Sequence, residues 1–204
     1  MKKLNDLTQE YLKECVTYDP ETGSFAWNER PIHHFKDSEK QKWQTKEIIH
    51  KNWNNRYANK LSGNLSPINY ITIRMNNKSY LAHRLAWLYM EGYFPEYCID
   101  HKNKNRSDNR WSNLRHVTHQ CNMQNTKIRS DNTSGITGVS VVKVTNPKTW
   151  SVGIEISGKY KHIGTFNNIN DAAMARYDEE QNNPSWPCAI ESSAKKYLKE
   201  RNLI

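Results

Sequence analysis

Residues 98–125 read CIDHKNKNRSDNRWSNLRHVTHQCNMQN. An adjacent acid and histidine, Asp100-His101, open a run that carries asparagines at 103, 105, 109, 113, 122 and 125. Ile99 belongs to a short strand, and Lys102–Arg110 is too polar and asparagine-rich to be anything but loop. Leu114-Arg115-His116-Val117 forms a second strand, and Thr118 can cap a helix containing Gln120–Lys127. The expected unit is strand, loop, strand, helix: a small hairpin with a helix laid across it. Asp100-His101 then stands at the first strand end and Asn122 one turn into the helix.

These residue types suit phosphodiester cleavage. A hard cation such as Mg²⁺ or Mn²⁺ takes oxygen ligands, and Asp100 with the Asn122 amide oxygen supplies two, leaving places for water and phosphate. His101, near-neutral in proton affinity, can take a proton from the attacking water. Asn113 can bond across the loop and hold His101 in a useful tautomer. Adjacent strand side chains point to opposite faces, so Asp100 and His101 share a site only if the strand ends or bulges there. Asn125 lies on the same helix face as Asn122 and is the alternative ligand. Cys98-x-x-His101 and His119-x-Cys121 resemble zinc ligand pairs, but residues 98 and 101 face opposite ways on a strand. Residues 119 and 121 diverge by about 200° on a helix, so zinc is the weaker reading.

Upstream, LNDLTQEYLKEC (4–15) has apolar residues at helical spacing, Asp19–Gly23 is a turn, and SFAW after it is a strand. Residues 29–60 show no period and read as an irregular, inserted segment that could face DNA. Tyr70–Met75 and Lys78–Leu81 make a hairpin about Asn76-Asn77. Leu81, Leu85, Leu88 and Tyr89 stripe a helix closed by Gly92. His83 beside that stripe reads as a buried helix histidine. Downstream, residues 127–135 are a polar linker. Three strands follow at roughly 138–144, 149–156 and 160–166 with turns at Asn146-Pro147 and Ser157-Gly158. Then comes a helix with Asn170 as N-cap and Ala172, Ala173 and Ala175 against the sheet, and SSAKKYLKERNL is a final basic helix.

With 204 residues, the chain has room for one large domain or two small ones. Its net charge of +9 implies an acidic partner, nucleic acid or an anionic membrane. No apolar run is long enough to span a bilayer, and MKKLNDLTQEYLKE has no apolar core for a signal peptide, so a soluble, cytoplasmic protein is expected. Four cysteines far apart, at 15, 98, 121 and 188, read as free thiols. Charged stretches such as KSYLAHR, with Arg84, suit contact with backbone phosphates.

DHKNKNRSDNRWSNLRHVTHQCNMQN resembles the core of phage HNH endonucleases of the homing type, in the variant whose last His is Asn. YDPETGSFAW, YITIRMNNKSYLAHRLAWLYMEG and FPEYCIDH resemble stretches that precede that core, so the likeness covers most of residues 18–126. It implies a ββα-metal finger with one divalent ion, Mg²⁺ or Mn²⁺. By position it makes Asp100 and Asn122 metal ligands, His101 the general base and Asn113 the structural asparagine. SGITGVSVV, WSVGIEISGKYKHIGTF and DAAMARYDEE resemble the APETALA-type DNA-binding domain, which lays a three-stranded sheet in the major groove. Ser151 and Gly153 stand where that family commonly has arginines, which shifts base reading to Lys143, Trp150, Lys159, Tyr160 and Lys161.

The expected protein is α+β. A nuclease domain with an N-terminal extension occupies 1–126, a linker 127–135, a three-stranded antiparallel sheet with a helix 136–182, and a basic helix 183–204. Its partner is double-stranded DNA, with no membrane or small-molecule substrate, and a monomer in the phage-infected host cytoplasm is favoured. The rival readings are a non-catalytic DNA-binding or regulatory protein that keeps the finger only as a fold, and a structural zinc protein.

Overall fold

The computed structural model describes residues 7–142, 147–156, 158–183, 188 and 191–204. The chain divides between His116 and Val117 into two compact units, each with its own hydrophobic core.

In the first unit Thr8 caps helix α1 (Gln9–Cys15), its side chain accepting from the Tyr11 N–H. Leu12 and Cys15 face inward as the helical pattern requires; Leu4 lies outside the described residues. Strands β1 (Val16–Asp19) and β2 (Ser24–Trp27) follow as an antiparallel hairpin. Its turn is held by the Asp19 carboxylate, which accepts from the N–H groups of Glu21 and Thr22, and by Gly23 at φ +74°.

Residues 29–60 are more ordered than their composition suggests. They hold a 3₁₀ turn at Ile32–His34 and helix α2 (Lys46–Tyr57). No residue of α2 is buried, so no apolar stripe marks it in the sequence. It docks through rings and amides instead. Trp53 sits edge-on to Trp27 at 5.4 Å, and the Asn54 side chain bonds both the N–H and the carbonyl of Arg30. Strand β3 (Leu61–Ser62) then pairs with β2.

A second antiparallel sheet contains β4 (Asn64–Leu65), β5 (Ile71–Met75) and β6 (Lys78–Leu81), in that order. Asn76 and Asn77 both take positive φ, the requirement of a two-residue hairpin turn whose twist matches the strands. Helix α3 (Ala82–Glu91) buries Ala82, His83, Leu85, Ala86 and Leu88 and stops at Gly92, φ +85°. Its buried face meets Leu12, Val16, Phe25 and Ile73, with Ile99 and Leu114 completing the core. Those last two come from β7 (Cys98–His101) and β8 (Leu114–Val117), a two-stranded ribbon.

In the second unit Thr118 caps helix α4 (His119–Gln124) by accepting from the Cys121 N–H. The helix ends short of the expected Lys127. Cys121 is joined to Cys188 in a disulfide, with Cα atoms 5.0 Å apart. This corrects the reading of four free thiols, which wide spacing in the sequence had favoured, and removes Cys121 from any zinc pair. Segment 127–135 holds tight polar turns: the buried Ser134 hydroxyl donates to the Val139 carbonyl at 2.6 Å.

Strands β9 (Val139–Val142), β10 (Thr149–Ile156) and β11 (Lys159–Phe166) form an antiparallel sheet in the order β11-β10-β9. The turns expected at Asn146-Pro147 and Ser157-Gly158 each include a residue outside those described. Helix α5 (Ile169–Asn182) is capped by Asn168, whose Oδ1 accepts from the Asp171 N–H, and not by Asn170. The small side chains of Ala172 and Ala173 lie in a core with Val139 and Val152. Helix α6 (Ser193–Lys199), capped by Ser192, adds Ala194 and Leu198 to it. Among the described residues, no helix is long and apolar enough to cross a membrane.

Candidate active site

His101 ends β7 and is 4% exposed. Its Nε2 lies 3.3 Å from Asn109 Oδ1. The Asn109 Nδ2 points to the Ser107 carbonyl, so the oxygen faces the imidazole. An amide oxygen only accepts, so Nε2 carries the proton and Nδ1 is the basic nitrogen. Burial lowers the proton affinity of His101, partly countered by the bond to Asn109 and the charge of Asp100. His83 packs edge-on against it, ring centroids 5.0 Å apart, and Tyr70 flanks both rings. Burial pushes His83 down to about 3, with the neighbouring His101 and Arg84 adding to the effect, so it is neutral at any ordinary pH.

Asp100, 6% exposed, turns to the neighbouring strand: its Oδ2 accepts from Arg115 Nε at 2.8 Å and Nη2 at 2.7 Å. Asp100 and His101 are thus both fixed, by different partners, at a strand end where Lys104 N–H bonds back to the His101 carbonyl.

Asn113 braces the loop. Its Nδ2 donates to Asn103 Oδ1 at 3.1 Å and the Asp108 carbonyl at 2.7 Å, and its Oδ1 accepts from the Asn103 N–H at 3.0 Å. A side chain bonded to His101 is that of Asn109, one of three asparagines that the polar loop would place in turns. Asn103 and Asn105 do fill that turn role, accepting from N–H groups two residues onward.

The β1–β2 hairpin holds Asn109 in place. The Tyr18 hydroxyl donates to the Asn109 carbonyl at 2.6 Å, and the Trp111 N–H donates to the Pro20 carbonyl at 2.9 Å. Gly23 lies so close that a Cβ there would collide with the Asn109–Arg110 peptide. A sequence signal for this existed, a glycine-closed turn ahead of the finger, but nothing in the sequence tied it to residue 109.

Asn122 is half-buried on α4 in the second unit, and Asn125, the C-cap residue, is 4% exposed. Arg84 is spent on its own fold: Nη2 donates to the Pro95 carbonyl at 2.8 Å and Nη1 to that of Tyr97 at 3.2 Å. Two of its N–H groups are thereby engaged within the fold.

In the second unit, alternation along β10 sends Val152 and Ile154 inward and Ser151, Gly153 and Glu155 to the open face. Tyr160 lies over Gly153 on that face, 70% exposed; a Cβ at 153 would strike its ring. Lys161 points the other way and pairs with Glu179 of α5 at 2.8 Å, and Lys159 shares its alternation. Trp150 packs against the core. Trp150, Lys159 and Lys161 therefore lie off the open face, because strand parity, not composition, decides which side a residue takes. Tyr160 is on it, with His162, which the sequence reading did not single out. Lys143 falls outside the described residues.

Glu14, His33 and His34 gather ligand-type atoms within 4.8 Å of one another. Arg30 Nε donates to His34 Nδ1 at 3.2 Å, so His34 Nε2 keeps the proton and donates to Glu14 Oε2 at 2.7 Å. A cation on that Nε2 would drive the proton to Nδ1, against the Arg30 N–H. Glu14 and His34 form a hydrogen-bonded tie between α1 and the 3₁₀ turn, with His33 Nε2 at 3.7 Å from the same carboxylate.

Residues 80–124 match the family model described as HNH endonuclease. The match takes in β7, the loop, β8 and α4, and so Asp100, His101, Asn109, Asn113 and Asn122; it stops one residue before Asn125. The match supports a nuclease domain of the HNH type in this part of the chain. No curated protein and no solved structure was found to match the chain.

Proposed function

We propose that the chain is a metal-dependent endonuclease that hydrolyses phosphodiester bonds in duplex DNA, a homing-type enzyme of phage origin. The observation that carries the reading lies inside the HNH match: a buried histidine beside a carboxylate, its Nε2–H held by Asn109 Oδ1, which makes Nδ1 the basic nitrogen.

In this reading His101 Nδ1 takes the proton from the attacking water. Burial supports the role, because a base with lowered proton affinity is unprotonated at neutral pH. Asp100 is the first metal ligand: a carboxylate fixed by Arg115 is the hard oxygen donor that Mg²⁺ or Mn²⁺ takes. Asn122 enters as the second ligand on motif spacing. When bound, such an ion stabilises charge on the phosphate and on the departing 3′ oxygen. Products carry 5′ phosphate and 3′ hydroxyl ends. Asn113 keeps the loop closed and Asn109 sets the tautomer.

The nuclease function is assigned to the finger and the hairpins that precede it, and duplex anchoring to the β9–β11 sheet with α5, whose likeness to APETALA-type domains supports that role. On the open face Tyr160 and His162 are the proposed groove contacts.

Plasmid incubated with the protein and Mg²⁺ or Mn²⁺ should be nicked or linearised, and His101→Ala should abolish this. Wild type that leaves every DNA intact, that of phages included, would turn the reading to a non-catalytic DNA-binding protein. Stoichiometric zinc lost in Cys98→Ser would favour the zinc alternative.

A further inference from the structure

We infer that Arg106 is a phosphate-contacting residue of this site, held for that task by Tyr70. The inference rests on the nuclease reading. Three arginines lie between β7 and the end of β8. Arg110 pairs with Asp108, Nη2 to Oδ2 at 2.6 Å, and Arg115 with Asp100 at 2.7 Å, so both charges are neutralised. Arg106 is exposed, and among the described residues no carboxylate lies within ion-pair distance of it.

Its position is nevertheless fixed. The guanidinium lies 5.1 Å from the centre of the Tyr70 ring, and Nη1 reaches the Ile68 carbonyl at 3.5 Å. A guanidinium over an aromatic face keeps its edge N–H groups available, and their planar fork matches two oxygens of a phosphate. Tyr70 also touches the two buried histidines, with centroids 5.2 Å from His83 and 6.1 Å from His101. One ring therefore sets both the wall behind the base and the place of the cation. The arrangement is that of a positive charge waiting beside a general base, and the anion that fits is the phosphodiester of the DNA strand to be cut.

Two readouts separate this inference from the nuclease reading. The first is metal-free binding of a duplex oligonucleotide by the His101→Ala protein across a salt series. Adding Arg106→Ala should reduce the slope of log K against log salt by about one and weaken binding at low salt about tenfold. Arg106→Lys should restore most of the slope. The second is cleavage kinetics. Arg106→Ala should lower kcat/KM by about 10²-fold, and Tyr70→Leu should lower it in the same direction. The double variant should fall no further than Arg106→Ala alone, since the ring acts by holding the cation. Unchanged thermal unfolding of Arg106→Ala excludes a folding defect. Equal salt slopes with and without Arg106 overturn the inference, as does undiminished cleavage by Arg106→Ala. If wild type cuts nothing, the nuclease reading fails while the salt slope still decides whether Arg106 meets phosphate.

Discussion

His83 and His101 sit edge to face in one buried cluster, and their neighbours give them different work. His101 has a hydrogen-bonded Nε2; the Nδ1 of His83 is buried with no hydrogen-bond partner among the described residues. Because the His101 proton affinity is lowered, its base form persists below the ordinary value of 6.5, and cleavage should decline only as pH falls past that point. Asn109→Ala removes the acceptor for Nε2–H. It should cut kcat about tenfold or more with KM little changed and move the acid limb lower; Asn109→Asp should move that limb higher. An unmoved limb in both variants would refute the role of Asn109. His83 is tested by stability. Its proton affinity is ordinary when unfolded and falls to about 3 when folded. The stabilisation is therefore complete above about pH 6.5 and is lost as pH falls toward 3, by up to about 1.4 kcal/mol per unit. Urea unfolding between pH 7 and 4.5 should show this slope, and His83→Met should flatten it. At this scale Asp100 and His101 stood out in the sequence because acid and imidazole are adjacent. Asn109 did not, because it is one of three asparagines in the loop and only the folded hairpin behind it sets it apart.

The β1–β2 hairpin and the finger loop are held together at one glycine. Gly23 combines a left-handed φ of +74° with direct contact on the Asn109–Arg110 peptide. Gly23→Ala should destabilise the protein by about 2 kcal/mol, from backbone strain and the forced shift, and should depress cleavage beyond what thermal unfolding explains. Retained kcat in a folded Gly23→Ala protein would show that the hairpin is not what positions residue 109. The hairpins and α3 were readable because apolar periodicity and turn residues agree there. Helix α2 was not, because a helix with no buried side chain leaves no period, and its docking depends on rings placed by the fold. Strand parity explains the β11 lysines in the same way: three basic or aromatic letters in a row cannot all face one groove.

Two units on one chain give the protein two independent cores, and the disulfide belongs wholly to the second. A cross-link closing 67 residues stabilises against unfolding by about 4 kcal/mol in the chain-entropy account. Reductant, or Cys188→Ser, should therefore lower the melting transition of the second unit and spare that of the first, as calorimetry would show. Cys121 precedes Asn122 directly, so the residue proposed as metal ligand sits on a covalently tethered turn. There is a further consequence for the integrity of the polypeptide itself. From Cys121 to Cys188 the backbone is a closed ring, and a ring cut once stays in one piece. A protease that nicks anywhere between those residues should yield a single full-size band without reductant and two fragments with it, the HNH segment remaining leashed to the sheet after its peptide connection is gone.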